Sequence, residues 1–181
     1  MKLCVLFPGI GYHCDKPLLY YTNKLARGMG YEVIPLKFTG FESGTKGNEN
    51  KMRTAAAHAL GQAHEQLNGV DLTAYERVVF VGKSIGTAAC LSYRTETALK
   101  ACTVLLTPLV LTFGYPADNC TAFHGTSDPW ASTADITRLC SENNVPLYTY
   151  ENANHSLETG DVHTDIENLS DIIQKISDIL R

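Results

Sequence analysis

Apolar residues in this chain fall into two kinds of stretch. Short runs at "KLCVLF" (2–7), "YEVIPLKF" (31–38), "RVVFVG" (77–82), "CTVLLT" (102–107), "NCTAFHG" (119–125) and "PLYTYE" (146–151) read as strands. Between them lie longer amphipathic stretches, near 16–29, 51–69, 85–95, 129–143 and 164–180, that read as helices. Strand alternating with helix predicts a parallel sheet covered on both faces. Runs that stay apolar, instead of alternating, are what two buried faces require. The expected fold is an α/β/α three-layer sandwich with a mostly parallel sheet of about six strands, in a single domain over 1–181. The segment "TGFESGTKGNEN" (39–50) is polar and Gly-rich and reads as a flexible loop that either covers a site or simply moves. In such a sheet, ligand chemistry belongs at the carboxyl ends of the strands.

Composition narrows the function classes. At 181 residues the chain can bury roughly 70% of its unfolded surface, so its core needs no covalent staples. Hydrophobic residues make up 44% and charged residues 19%, an ordinary globular mix. The formal charge is −4 and no Lys/Arg cluster occurs, which leaves no electrostatic case for a nucleic-acid partner. The six cysteines include no Cys-x-x-Cys pair. They read as buried thiols, not as a disulfide framework or a zinc site, and no metal or cofactor is expected. "MKLCVLFPGIGY" holds too short an apolar run for a secretory signal. "VLLTPLVLTF", interrupted by Pro108, is too short to cross a bilayer. A cytoplasmic protein with no membrane partner is the expectation.

Residues 78–90, "VVFVGKSIGTAAC", carry the chemistry and admit two readings. Gly82-Lys83-Ser84 is how a phosphate-binding P-loop ends. That pattern needs a glycine at position 77 and a loop after it. Arg77 stands there, followed by the strand "VVFV", so nothing can curl around a phosphate. Gly82-Lys83-Ser84-Ile85-Gly86 instead fits the Gly-x-Ser-x-Gly turn that lifts a serine nucleophile between a strand and a helix. The flanking glycines keep side chains out of a crowded corner, and Thr87, Ala88 and Ala89 let the helix pack closely.

A serine hydroxyl needs a base, usually a histidine oriented by a carboxylate. Of the six histidines, His58 and His64 read as surface positions on a helix, and His163 as a solvated residue before the last helix. His124 reads as a structural hydrogen-bonding residue. His155, in "ENANHSLET" just past the sixth strand, lies at the correct sheet edge and is the candidate base. Asp128, in "HGTSDPW" just past the fifth strand, is the candidate acid. It competes with a second role, since Asp before Pro129 also suits a helix N-cap. Asp118 is the rival acid, but it precedes that strand at the opposite edge.

"GKSIG", "HGTSD" and "NHSLE", in the order Ser, Asp, His, resemble the α/β-hydrolase superfamily in a small, nearly lidless form, over essentially the whole chain. The resemblance implies Ser84 as nucleophile, Asp128 as orienting acid and His155 as general base. It also implies an oxyanion hole from the backbone N–H of Ile85 and a second N–H in "FPGIGYH". Gly9 and Ile10 match best there, with Gly11 or Tyr12 as alternatives. The chain departs from larger members in three ways. Their opening pair of antiparallel strands is expected to be missing, since the strand before the oxyanion loop begins at Lys2; only "PLVLTFGYPAD" stands where they insert a lid; and there is no His-Gly-Gly motif. An open, shallow site and a weak case for a lipase follow.

The expected activity is that of a serine hydrolase of carboxylesterase or thioesterase type. It would cleave an ester or related acyl bond of a small substrate through an acyl-enzyme. An acyltransferase on the same residues, or a scaffold with those residues idle, is the alternative. Tyr12, His13, Leu109, Phe113, Tyr115 and Trp130 flank the sheet edge as pocket candidates. Lys83 stands either toward an anionic substrate group or at the rim.

Overall fold

A computed structural model describes residues 1–181. Its elements are β1 (Lys2–Phe7), α1 (Pro17–Gly28), β2 (Tyr31–Pro35), α2 (Glu49–Leu67), β3 (Arg77–Lys83), α3 (Ile85–Glu96), β4 (Cys102–Leu106), β5 (Cys120–Gly125), α4 (Thr133–Glu142), β6 (Leu147–Tyr150) and α5 (Val162–Leu180). Short 3₁₀ segments at Leu72–Ala74 and Val110–Gly114 complete them. The strands form one sheet in the order β2-β1-β3-β4-β5-β6, with every neighbouring pair parallel. This is the three-layer architecture the apolar pattern predicts.

Side-chain alternation splits each central strand between two cores. Leu3, Val5 and Phe7 of β1 and Val78 and Phe80 of β3 enter one core, with Ala59 and Ala63 of α2, Leu91 of α3 and Ile136 of α4. Cys4 and Leu6 of β1 and Val79 and Val81 of β3 enter the other, with Leu18 and Leu19 of α1 and Ile172 and Ile176 of α5. Burying each Leu, Val or Phe contributes about 1.5–3 kcal/mol. β1 from Leu3 to Phe7 and β3 from Val78 to Gly82 accordingly carry no polar side chain except the Cys4 thiol.

Several boundaries differ from expectation. β2 stops at Pro35 instead of running to 38. Its neighbour β1 turns away at Pro8, and the side-chain amides of Gln66 and Gln62 on α2 take over the main-chain groups of Lys37 and Thr39. α4 starts at Thr133, not 129, because the Ser132 side chain caps it by accepting from the Asp135 N–H. α5 starts at Val162, capped by Asp161, so His163 lies in its first turn and not in a loop.

The chain leaves β1 toward β2 on one side and resumes at β3 on the other. The carboxyl ends of β1 and β3 therefore open a crevice, the usual ligand position in such sheets. Phe7 and Gly82 are paired at its base.

Candidate active site

Ser84 sits between β3 and α3 with φ 56° and ψ −122°, a conformation a side-chain-bearing residue adopts only under constraint. The constraint is visible. The Ser84 N–H is bound to the Leu106 carbonyl at 2.9 Å, and the Ser84 carbonyl accepts the Thr87 N–H at 2.9 Å. A Cβ on Gly86 would lie 2.2 Å from the Phe7 carbonyl oxygen, and one on Gly82 would lie 2.7 Å from Thr87 Cα. Both glycines of the motif are thus demanded by backbone contact.

The Ser84 hydroxyl lies 2.7 Å from His155 Nε2, and His155 Nδ1 lies 2.7 Å from Asp128 Oδ2. An ionised carboxylate only accepts, so Nδ1 carries the proton and Nε2 accepts from the serine. Asp128 is buried, and its second oxygen accepts the Trp130 N–H at 2.8 Å. This turn, with the cap supplied by Ser132, replaces the helix-capping role considered for Asp128. The Trp130 indole stacks on the imidazole, with centroids 5.1 Å apart and planes 22° apart. Burial pushes the His155 pKa down from 6.5 to about 4, against the opposing hydrogen bond to Asp128. The imidazole is therefore neutral at physiological pH. Asp118 lies away from this group, its carboxylate and carbonyl held by Arg94.

The loop after β1 lies against the serine. A Cβ on Gly9 would lie 3.1 Å from Ser84 Cβ. The Gly9 N–H is spent on the Tyr12 carbonyl at 3.0 Å, which removes Gly9 as a donor, whereas the Ile10 N–H has no intramolecular partner. The Ile85 N–H opens α3 and has no intrahelical acceptor. The Ile85 N–H, next to Ser84, and the Ile10 N–H, in the loop that Gly9 sets against Ser84, thus both remain without a partner in the chain.

Two expected substrate contacts do not reach a substrate position. Lys83 is 1% exposed, not at the rim, with Nζ donating to Thr107 Oγ1 at 2.6 Å and to the His155 carbonyl at 2.7 Å. A lysine ending a strand apolar to its last turn is drawn inward when polar partners await it. Tyr12 is also buried, its hydroxyl accepting the Leu18 N–H at 3.1 Å. It faces a separate cavity of about 170 Å³ beside Leu157. His13 is exposed and paired with Asp15. His124 is buried behind Asp128, with Nε2 3.2 Å from Thr133 Oγ1 and Nδ1 3.9 Å from Asp128 Oδ2. His58 is bound to the Thr39 carbonyl and His64 to Glu96.

Trp130, Leu109 and Phe113, in contrast, line a cleft of about 420 Å³ together with Met52, Val110 and Leu111. Gly47 and Glu49 form part of its wall, so the end of the 39–50 loop borders this cleft. Leu109 packs in one cluster with Ile85 and Trp130, which joins the cleft to the elbow. Sequence reasoning missed Met52, Val110 and Leu111, which look like ordinary apolar residues, and Thr107, for which no local signal exists.

A serine at a strained strand-to-helix turn, with an imidazole and a carboxylate in series, on a parallel α/β sheet is the arrangement of the α/β-hydrolase fold, and this chain has that fold. No protein-family model and no curated protein matches its sequence. Solved structures do match. A candidate hydrolase of the α/β superfamily from Xanthomonas campestris aligns over 97% of this chain and 99% of its own, with TM-score 0.66 and 16% identity. An α/β serine hydrolase homologue from Coxiella burnetii aligns over 97% and 84%, with TM-score 0.67 and 12% identity. An esterase from Pyrococcus furiosus aligns over 99% and 82%, with TM-score 0.68 and 13% identity. No helix of this chain is long and apolar enough to cross a membrane.

Proposed function

We propose that this chain is a serine hydrolase that cleaves an ester or related acyl bond of a small substrate. The observation that carries the reading is the unbroken series Asp128, His155, Ser84, two contacts of 2.7 Å ending on a serine in a strained turn. The structural likeness to a serine hydrolase homologue and an esterase supports it. Ser84 Oγ attacks the acyl carbon as its proton passes to His155 Nε2. The Asp128 carboxylate stabilises the resulting imidazolium. The oxyanion accepts hydrogen bonds from the N–H groups of Ile85 and Ile10, each worth about 2.7–4 kcal/mol in such sites. His155 then returns the proton to the leaving oxygen or sulfur. Water, deprotonated by the same imidazole, releases the acid from Ser84.

The cleft beside Trp130 gives the substrate an apolar moiety to bury. Its rim charges are already satisfied, since Arg53 is bound to Glu49 at 2.6 Å. A neutral, apolar acyl or leaving group therefore fits it best.

The direct test is labelling of the full chain with a fluorophosphonate, followed by a panel of esters and thioesters of increasing acyl length. Labelling at Ser84 and turnover of apolar esters are expected; a wild-type protein that takes no label refutes the reading. The pH profile is a further check. The base must be neutral to act, and it is neutral above its pKa, which burial lowers to about 4. The acid limb of kcat/KM is therefore expected well below 6.5, the ordinary imidazole value. A limb at or above 6.5 would contradict a buried base.

A further inference from the structure

Lysine is among the residues least often fully buried. Lys83 is 1% exposed at the carboxyl end of β3, next to Ser84. It forms no ion pair; Asp128 and Glu158, the carboxylates that act on it, do so at longer range. Its ammonium is held by neutral groups from three loops. Thr107, past the end of β4, accepts at 2.6 Å, and the main-chain carbonyl of His155 accepts at 2.7 Å. The Tyr12 ring lies 4.9 Å from Nζ. A buried methionine would fill the same volume without desolvating a charge, so packing alone does not account for a lysine here.

The Thr107 backbone points the same way. Its φ is 47°, an outlier for a β-branched residue. Its N–H is bound to the Phe123 carbonyl at 2.8 Å, so its hydroxyl is presented to Lys83 from an anchored backbone. Tyr12 is anchored through its hydroxyl to Leu18 and through its main chain to Gly9, the residue beside Ile10. The three groups that meet Nζ thus belong to the loop carrying the base, the loop carrying the second oxyanion donor, and the strand end that holds the Ser84 N–H.

We propose that Lys83 is a positioning residue: its ammonium ties the His155 carbonyl, the Thr107 hydroxyl and the Tyr12 ring together behind Ser84, and so holds the base and the oxyanion loop in register with the nucleophile. The proposal rests on the serine-hydrolase reading above. The same charge also acts on the base electrostatically. The titratable groups facing Lys83 are Tyr12 from the loop after β1, Asp128 from the loop after β5, and His155 and Glu158 from the loop after β6. Burial pushes the Lys83 pKa down to about 7, while Asp128 and Glu158 oppose that fall. Its positive charge in turn helps keep the His155 imidazole neutral.

The test uses the full chain with Lys83→Met and Thr107→Val, read by the rate of fluorophosphonate labelling and by NMR titration of the His155 imidazole. Lys83→Met is expected to slow labelling by up to about 100-fold, the scale of a small misplacement of a catalytic group. It is also expected to move the His155 titration up, toward 6.5, because a neighbouring positive charge is gone. Thr107→Val keeps the charge, so it is expected to slow labelling without moving the titration. Wild-type labelling with an unmoved titration in Lys83→Met overturns the proposal. If Lys83→Met does not fold, wild-type labelling by Thr107→Val overturns it. If the wild-type protein takes no label, the hydrolase reading falls separately, and an unmoved His155 titration in Lys83→Met then overturns the coupling by itself.

Discussion

His155→Ala is expected to lower kcat by about 10⁶-fold on whichever ester the wild-type protein turns over, and Ser84→Ala by a similar factor. The reason lies in the series arrangement. The serine hydroxyl is 2.7 Å from a single acceptor, Nε2, and no other base stands within hydrogen-bond reach of it. Without that acceptor the proton has nowhere to go as the oxygen attacks, so the loss of either partner removes the whole nucleophilic route. The double variant Ser84→Ala/His155→Ala is therefore expected to be no worse than either single one. Asp128→Asn should cost about 10⁴-fold, because the amide can donate to Nδ1 and so favours the wrong tautomer. What should survive in all of them is substrate binding and the contribution proposed for the Ile85 and Ile10 N–H groups. Steady-state kinetics of the three single variants and the double variant check this. Multiplicative losses in the double variant would mean that the two residues act independently, contrary to the geometry.

Gly125→Ala is expected to destabilise the protein by about 3 kcal/mol, the upper end of ordinary overpacking, and to lower activity with it. A Cβ there would lie 2.3 Å from the Ala153 carbonyl oxygen and 2.7 Å from that of Asn154. Both neighbours are backbone, so neither can swing aside as a side chain would. They belong to the segment leading into His155, which is pinned to the end of β5 by the bonds Thr126 N–H to Tyr150, Ser127 N–H to Ala153 and Asn152 N–H to the Thr126 hydroxyl. The methyl group must push this segment away from Asp128, which lengthens the 2.7 Å contact between Asp128 and His155. Gly61→Ala is the control. Gly61 lies inside α2 with nothing within 4 Å of an added Cβ. It should stabilise by about 0.5–1 kcal/mol through helix propensity. Thermal unfolding of both variants, with labelling rates alongside, separates the two cases. Equal melting temperatures would show that the β6–α5 loop yields freely.

The candidate site was legible to different depths at different residues. Ser84 stands out because Gly82 and Gly86 mark the turn: Gly82 is held to glycine locally, by the Thr87 and Gly86 backbone, and Gly86 by the Phe7 and Pro8 backbone at the end of β1. Asp128 and His155 could be singled out because one rule, chemistry at the carboxyl ends of parallel strands, converts a position along the chain into a position in space. Lys83 shows where that conversion stops. Beside the nucleophile it reads as facing either an anionic substrate group or the rim, yet its amine turns inward to a carbonyl 72 residues away. Tyr12 followed the same course, from expected pocket wall to a buried support for α1 and Lys83. Asp128 did not cap a helix because Ser132 does so four residues later.

The order of strands and helices, the two-faced burial of the sheet and the strand-to-helix serine turn follow from the chain itself, because apolar periodicity and the Gly-x-Ser-x-Gly spacing are written within a few residues. The distances from Ser84 to His155 and from His155 to Asp128, the inward turn of Lys83 and the cleft between Trp130 and Leu109 were decided only in the folded molecule. Each depends on how loops from separate strands meet at one edge of the sheet. No local pattern records that meeting, because it is set by strand order and by backbone contacts such as that between Gly125 and Ala153.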